Sequence, residues 1–143
     1  MLGFLLWLGM SNLFNYHKES IKVLMNKLTD PEILKNKILQ LLDEAKAKKI
    51  KILDIKLKSS FTDFLVISEG TSSRHVNSIV NKVSKKLKKN VLSVEGIPNA
   101  EWALVDFGDV VLHVFKPEIR EHYNLEKIWS ELAPNEKKVL DKL

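Results

Sequence analysis

Four stretches of this chain hold residue types that could do chemistry. Gly70-Thr71-Ser72-Ser73-Arg74-His75 stands where an apolar run gives way to helical spacing. A strand entering a helix there would aim free N–H groups and the positive dipole end at an anion. The stretch lacks the second glycine and the Gly-Lys pair of a phosphate loop. Helix capping accounts for Thr71-Ser72-Ser73, and Arg74 and His75 are candidates for contact with an RNA phosphate or a partner carboxylate. Asp106-Phe107-Gly108-Asp109 spells the metal-binding Asp-Phe-Gly of protein kinases, but no glycine-rich loop or His-Arg-Asp loop accompanies it. Asp and Gly are also ordinary residues of a tight hairpin turn, and that reading is preferred. His75, His113 and His122 could bind metal or move protons, yet no pair has the i, i+4 spacing of a helical zinc site. His113 lies inside Val110–Phe115 and reads as a hydrogen-bonded core histidine. Finally, Glu101-Trp102 follows the irregular Ile97-Pro98-Asn99-Ala100. A tryptophan beside carboxylates at a strand start is either core or an interface anchor. Trp102, with Glu101, Asp106 and Asp109, is expected to be the anchor.

A nucleotidyl or phosphoryl transferase would need paired carboxylates soon after its glycine motif. After Gly70 the next acidic residue beyond the helix is Glu95, and Asp54 has Lys56 two positions on. A metal-dependent transferase would have to use Asp63, Asp106 and Asp109, and this is the rival reading. The expectation is a chain without catalysis, cofactor or metal.

The elements that must position these residues follow from periodicity. Asp30 suits an N-cap and Pro31 a first helical position. Ile33, Leu34, Ile38, Leu41, Leu42 and Ala45 then recur at helical spacing, closed by Lys46, Lys48 and Lys49. Residues 50–57 and 62–68 read as strands, the second buried on both faces because Phe64-Leu65-Val66-Ile67 is unbroken. A helix capped by Thr71-Ser72-Ser73 runs to about Lys89 with Val76, Ile79, Val80, Val83 and Leu87 on one face. Strands follow at 91–95, 101–106 and 109–116, and Pro117 opens short helices at 118–122 and 125–130. A four-residue turn at Asp106–Asp109 would set Trp102 opposite His113. The order predicts a single α/β domain, a mixed sheet of about five strands with helices packed on it.

Composition narrows the classes. The 143 residues are 45% hydrophobic and 29% charged, enough for one domain with a real core. There is no cysteine, which excludes disulfides and thiolate sites. The net charge is +5, yet only Arg74 and Arg120 are arginines. A lysine excess this lopsided fits compositional bias better than nucleic-acid reading. Residues 35–94 hold the basic excess and residues 95–133 the acidic one. The first suits peripheral RNA contact without sequence readout, the second a basic protein partner. Residues 1–28 read as a leader, a weak helix or disordered segment whose apolar first ten residues fall short of a membrane span. The domain is expected at 29–131 and a fraying tail at 132–143.

Three blocks follow one another in fixed order: Ser59-Ser60-Phe61-Thr62-Asp63-Phe64, Gly70-Thr71-Ser72-Ser73-Arg74-His75, and Glu101-Trp102-Ala103-Leu104-Val105-Asp106-Phe107-Gly108-Asp109-Val110-Val111-Leu112-His113-Val114-Phe115. A tail at 117–129 completes them. Together, over roughly residues 30–130, the chain resembles the ribosomal silencing factors, also called Iojap-related proteins. That resemblance implies a nucleotidyltransferase-like fold without the chemistry. It implies a cytoplasmic translation repressor that binds the large ribosomal subunit through its protein number fourteen and blocks joining of the small subunit. It implies partner contact by Trp102 and the preceding Glu101, matches Tyr123 in the tail, and allows a homodimer of the free chain.

Overall fold

The computed structural model describes residues 15, 17–24 and 30–134. The apolar run at 1–10 and the tail from 135 lie outside the described residues; within the stretch read as a weak helix, residues 17–24 are helical. The chain divides into two compact units, residues 1–34 and 35–143.

Helix α1 spans Pro31–Glu44. Asp30 begins it: its carboxylate accepts from the Glu32 N–H at 2.8 Å, which satisfies one of the donors a helix start leaves free. Strand β1 (Lys48–Asp54) pairs antiparallel with β2 (Phe64–Glu69), and β2 pairs parallel with β5 (Val110–Phe115). Helix α2 (Ser73–Lys86) carries the chain from β2 across to β3 (Ser93–Glu95), and β4 (Trp102–Asp106) with β5 fills the gap. The sheet order is β1-β2-β5-β4-β3. Two short helices end the domain, α3 (Pro117–Tyr123) and α4 (Leu125–Glu131).

β2 and β5 are central, and every residue of both is buried, as an unbroken apolar run requires. Their alternate residues Val66, Leu112 and Val114, with Ala103 and Val105 of β4, face α2, whose Val76, Ile79, Val80 and Val83 are buried. Gly70 permits that contact, because a Cβ there would stand 2.8 Å from a Val76 methyl. α1 lies beside α2, tied by Lys82 to Glu44 (3.3 Å) and by the His75 Nε2 to the Ala45 carbonyl (2.9 Å).

Two boundaries differ from expectation for local reasons. β1 starts and stops early: Lys46 takes positive φ in the turn out of α1, Lys49 takes it within the strand where the register shifts, and Ile55 leaves the strand to bury itself. In the β4–β5 hairpin, Trp102 pairs with Phe115, and Leu104 pairs with His113. The predicted register is wrong by two, because the tight loop is Gly108-Asp109 and Phe107 stays paired across it, its N–H donating to the Val110 carbonyl at 2.9 Å.

Candidate functional site: the open face of the sheet

The sheet face opposite α2 carries the candidate site. Period-2 alternation places Leu53, Leu65, Ile67 and Glu69 of β1 and β2, Val111, His113 and Phe115 of β5, and Trp102, Leu104 and Asp106 of β4 on it. Glu69, Phe115 and Trp102 make one rung at one end; Leu65, Val111 and Asp106 make another near the opposite end.

At the first end the aromatic residues gather. The Trp102 ring stacks on Phe115 at 4.9 Å between centroids and lies 4.8 Å from Tyr123, which α3 supplies. Its indole N–H donates to His113 Nδ1 at 3.0 Å. That bond requires the neutral tautomer with the proton on Nε2. Burial agrees with it, holding the His113 pKa down at about 4. His113 is thus the hydrogen-bonded histidine expected, and Trp102 is half-buried, neither core nor free. Gly96 makes room for this strand: its φ is +86°, and a Cβ would collide with the Trp102 carbonyl. The loop from Gly96 to Glu101 is tied to α2 by the Asn77 amide, which donates to the Pro98 carbonyl at 3.2 Å.

Beyond the aromatic end the face opens into a groove of about 440 Å3. Leu65, Val111, Leu104 and His113 form its floor, Leu125 and Trp129 of α4 one wall, and Leu92, Phe61, Asp106 and Gly108 the rest of its rim. Trp129 packs on the Ile55, Leu65 and Val111 cluster that also holds Leu53 and Leu104. Phe61 and Leu92 are each 72% exposed at the rim. Phe61 is held outward: the Ser59 hydroxyl accepts from the Phe61 and Thr62 N–H groups, both at 3.2 Å. This is what the Ser59-Ser60-Phe61-Thr62-Asp63-Phe64 block does locally.

The sequence-predicted residues separate into groups. Trp102 and Tyr123 come together on the open face. Asp106 is on the same face at the far end, where its carboxylate accepts from the Gly108 N–H at 2.7 Å and shapes the turn. Glu101 and Asp109 are exposed beside it, at the aromatic end and in the turn respectively. Arg74 and His75 lie on α2, away from this face. Arg74 is exposed, whereas both His75 nitrogens are engaged, Nδ1 accepting from the Thr71 N–H at 2.9 Å and Nε2 meeting the Ala45 carbonyl. Ser72 caps α2 through its hydroxyl, 3.1 Å from the His75 N–H. Among the described residues no three histidine, aspartate or glutamate side chains gather to hold a metal ion, so Asp63, Asp106 and Asp109 form no such group. Phe61, Leu92, Leu104, Val111 and Trp129 were not singled out from sequence as site residues. The available signal was an apolar residue set among turn formers, Phe61 within Ser59-Ser60 and Thr62-Asp63.

What this arrangement offers is an apolar trough beside an aromatic cluster, with the Asp106 carboxylate at its rim, suited to receiving another surface. Similar proteins exist. A protein of Zymomonas mobilis named ribosomal silencing factor RsfS is 40% identical over 103 residues, covering 70% of this chain and 77% of that one. A mouse protein named mitochondrial assembly of ribosomal large subunit protein 1 is 36% identical over 99 residues, covering 65% of this chain and 43% of its own length. The crystal structure of a Chromobacterium violaceum protein superposes with a TM-score of 0.69 at 32% identity, covering 74% of this chain and 91% of that one. The sequence model of the family described as "Ribosomal silencing factor during starvation" matches residues 28–142, and the chain belongs to that family.

Proposed function

We propose that this protein represses translation by seating the open face of its sheet on the large ribosomal subunit, against its protein number fourteen. Occupying that place keeps the small subunit from joining. The observation that carries the reading is the apolar groove with exposed Phe61 and Leu92 at its rim and half-buried Trp102 on the same sheet face, on a chain whose relatives are named for ribosomes. An exposed apolar patch of this kind marks a protein contact, and Glu101, Asp106 and Asp109 around it suit a basic partner.

The mechanism is steric and needs no cofactor. The rival reading, a metal-dependent nucleotidyl or phosphoryl transferase, has no observation in its favour: Asp106 is spent on its turn. Lys85, Lys86, Lys88 and Lys89, at the end of α2, are exposed and make no ion pair among the described residues. They and Arg74 supply a peripheral, sequence-independent contact with ribosomal RNA, adding affinity without specificity. The working place is the cytoplasm; among the described residues no helix is long and apolar enough to cross a membrane. Residues 29–131 form the binding domain, residues 1–28 a leader outside it and 132–143 a tail, and the chain pairs as a homodimer when free.

Co-sedimentation with isolated subunits tests this. The protein should travel with large subunits and not with small ones. Equal sedimentation with both, or with neither, overturns the assignment.

A further inference from the structure

Helix α4 supplies the groove wall, yet it has little to hold it there. It is seven residues long with no fully buried side chain, and a free helix of that length does not persist in water. Packing from Trp129 on the sheet is one restraint. The others are charges, one at each end.

At the N-terminal end stands Arg120. Its guanidinium meets Glu126 of α4 at 2.8 Å through Nε and 2.7 Å through Nη2. Its Nη1 reaches Glu69 of β2 at 3.3 Å and the Lys49 carbonyl of β1 at 2.6 Å. The side chains of Arg120 and Glu69 are 12% and 8% exposed, so this is a partly buried fork rather than a surface pair. Burial alone pushes the Glu126 carboxyl up, but its backbone hydrogen bond and Arg120 outweigh that and hold it below the usual range. At the other end the Lys58 ammonium donates to the Trp129 carbonyl at 2.8 Å and to the Ser130 carbonyl at 3.4 Å. Those carbonyls belong to the last turn, where a helix lacks internal donors and where its dipole favours a cation. Lys58 comes from the turn after β1, 71 residues earlier.

We propose that Arg120 and Lys58 are positioning residues for partner binding: they fix the two ends of α4, so that Trp129 and Leu125 stand as a preset wall of the docking groove. A wall already in place loses little freedom when the partner seats, which raises affinity without adding a contact. The inference rests on the docking reading above. It goes further by assigning a role to two residues that do not themselves line the groove.

The test is a double-mutant cycle on affinity for isolated large subunits, measured per folded molecule, with melting followed on each variant. Lys58→Met is the principal variant, because it leaves no buried carboxylate unpaired; Arg120→Met strips Glu69 and Glu126 of their partner and could unfold the chain. Lys58→Met should lower affinity about fivefold or more, and Lys58→Arg, which keeps a donor for the carbonyls, should restore most of it. In a Trp129→Ala background, where the wall has lost its contact surface, Lys58→Met should change affinity less than twofold. Arg120→Met, if it folds, should behave alike. An equal loss in both backgrounds, or unchanged affinity in Lys58→Met, overturns the positioning role while leaving the docking reading intact. A wild-type chain that does not bind large subunits removes both.

Discussion

Replacing Phe61 with alanine separates docking from folding. The ring is 72% exposed, so folding removes only about a quarter of its ~200 Å2 from water. At ~25 cal/mol per Å2 that loss is about 1 kcal/mol of stability, a few degrees of melting temperature. The turn beneath should survive, because the Ser59 hydroxyl bonds the Phe61 and Thr62 backbone N–H groups rather than the ring. What remains, roughly 150 Å2, is available to a partner. Covering it fully is worth about 3.5 kcal/mol, and covering half of it about 2 kcal/mol. The second figure alone corresponds to roughly a thirtyfold weaker complex. The assay is a sedimentation titration with isolated large subunits, beside thermal melting of the same variant. Affinity within threefold of wild type, with melting nearly unchanged, would refute the reasoning, because a rim aromatic on a docking face cannot be that silent.

Four other outcomes follow from the same geometry. Trp102→Ala, which removes a half-buried ring stacked on Phe115, should cost about 2 kcal/mol of stability and roughly thirtyfold in affinity among molecules that fold; full affinity at lowered melting temperature would place Trp102 outside the interface. His113 has a depressed folded-state pKa of about 4 against 6.5, so the unfolded chain takes the proton first. Its contribution is complete above pH 6.5 and is lost as pH falls toward 4, about 3 kcal/mol across that window; urea midpoints at pH 7 and 4.5 should differ less in His113→Gln than in wild type, and equal differences contradict the assignment. Removing residues 1–24 should leave cooperative melting and subunit binding in place, since the Asp30 cap of α1 is retained; loss of the melting transition would make the leader part of the core. Nucleoside triphosphates should not turn over with magnesium, and turnover abolished by Asp106→Asn would restore the transferase reading.

Local chemistry made much of this legible from the sequence. Ser72 announces α2 because a hydroxyl there can satisfy a free N–H, and the unbroken Phe64–Ile67 run announces a central strand. Asp106 and Gly108 mark the hairpin because one supplies an acceptor and the other a φ of +86°. The exact register was not legible, since it depended on whether Phe107 would fold inward, and it is only 6% exposed. Nor was the groove. Its wall depends on Lys58 reaching Trp129 and on Arg120 reaching Lys49, each across 71 residues, and periodicity carries no record of such distances. Trp102 was found because its neighbours were unusual. Phe61 and Leu92 were passed over because one apolar residue in a turn is ordinary until the floor beneath it is known.

The sheet's edges favour the face, rather than a strand, as the binding surface of the proposed function. β1, at one edge, carries Lys48, Lys49 and Lys51, and its register shifts between Lys48 and Lys51. Charged side chains and an irregular edge both oppose strand addition. β3, at the other edge, is three residues long, too short to template a stable pairing. What remains for a partner is the open face, and α4 already covers its β1–β2 side through Trp129. The less covered part is β4, whose Trp102, Leu104 and Asp106 are half-buried, beside the buried Val111 and His113 of β5 that floor the groove. A partner must therefore fit a trough bounded by fixed walls, and shape sets which partner fits. The lysines at the end of α2 lie outside that trough, so salt should alter how tightly the protein holds a ribonucleoprotein surface more than which surface it chooses.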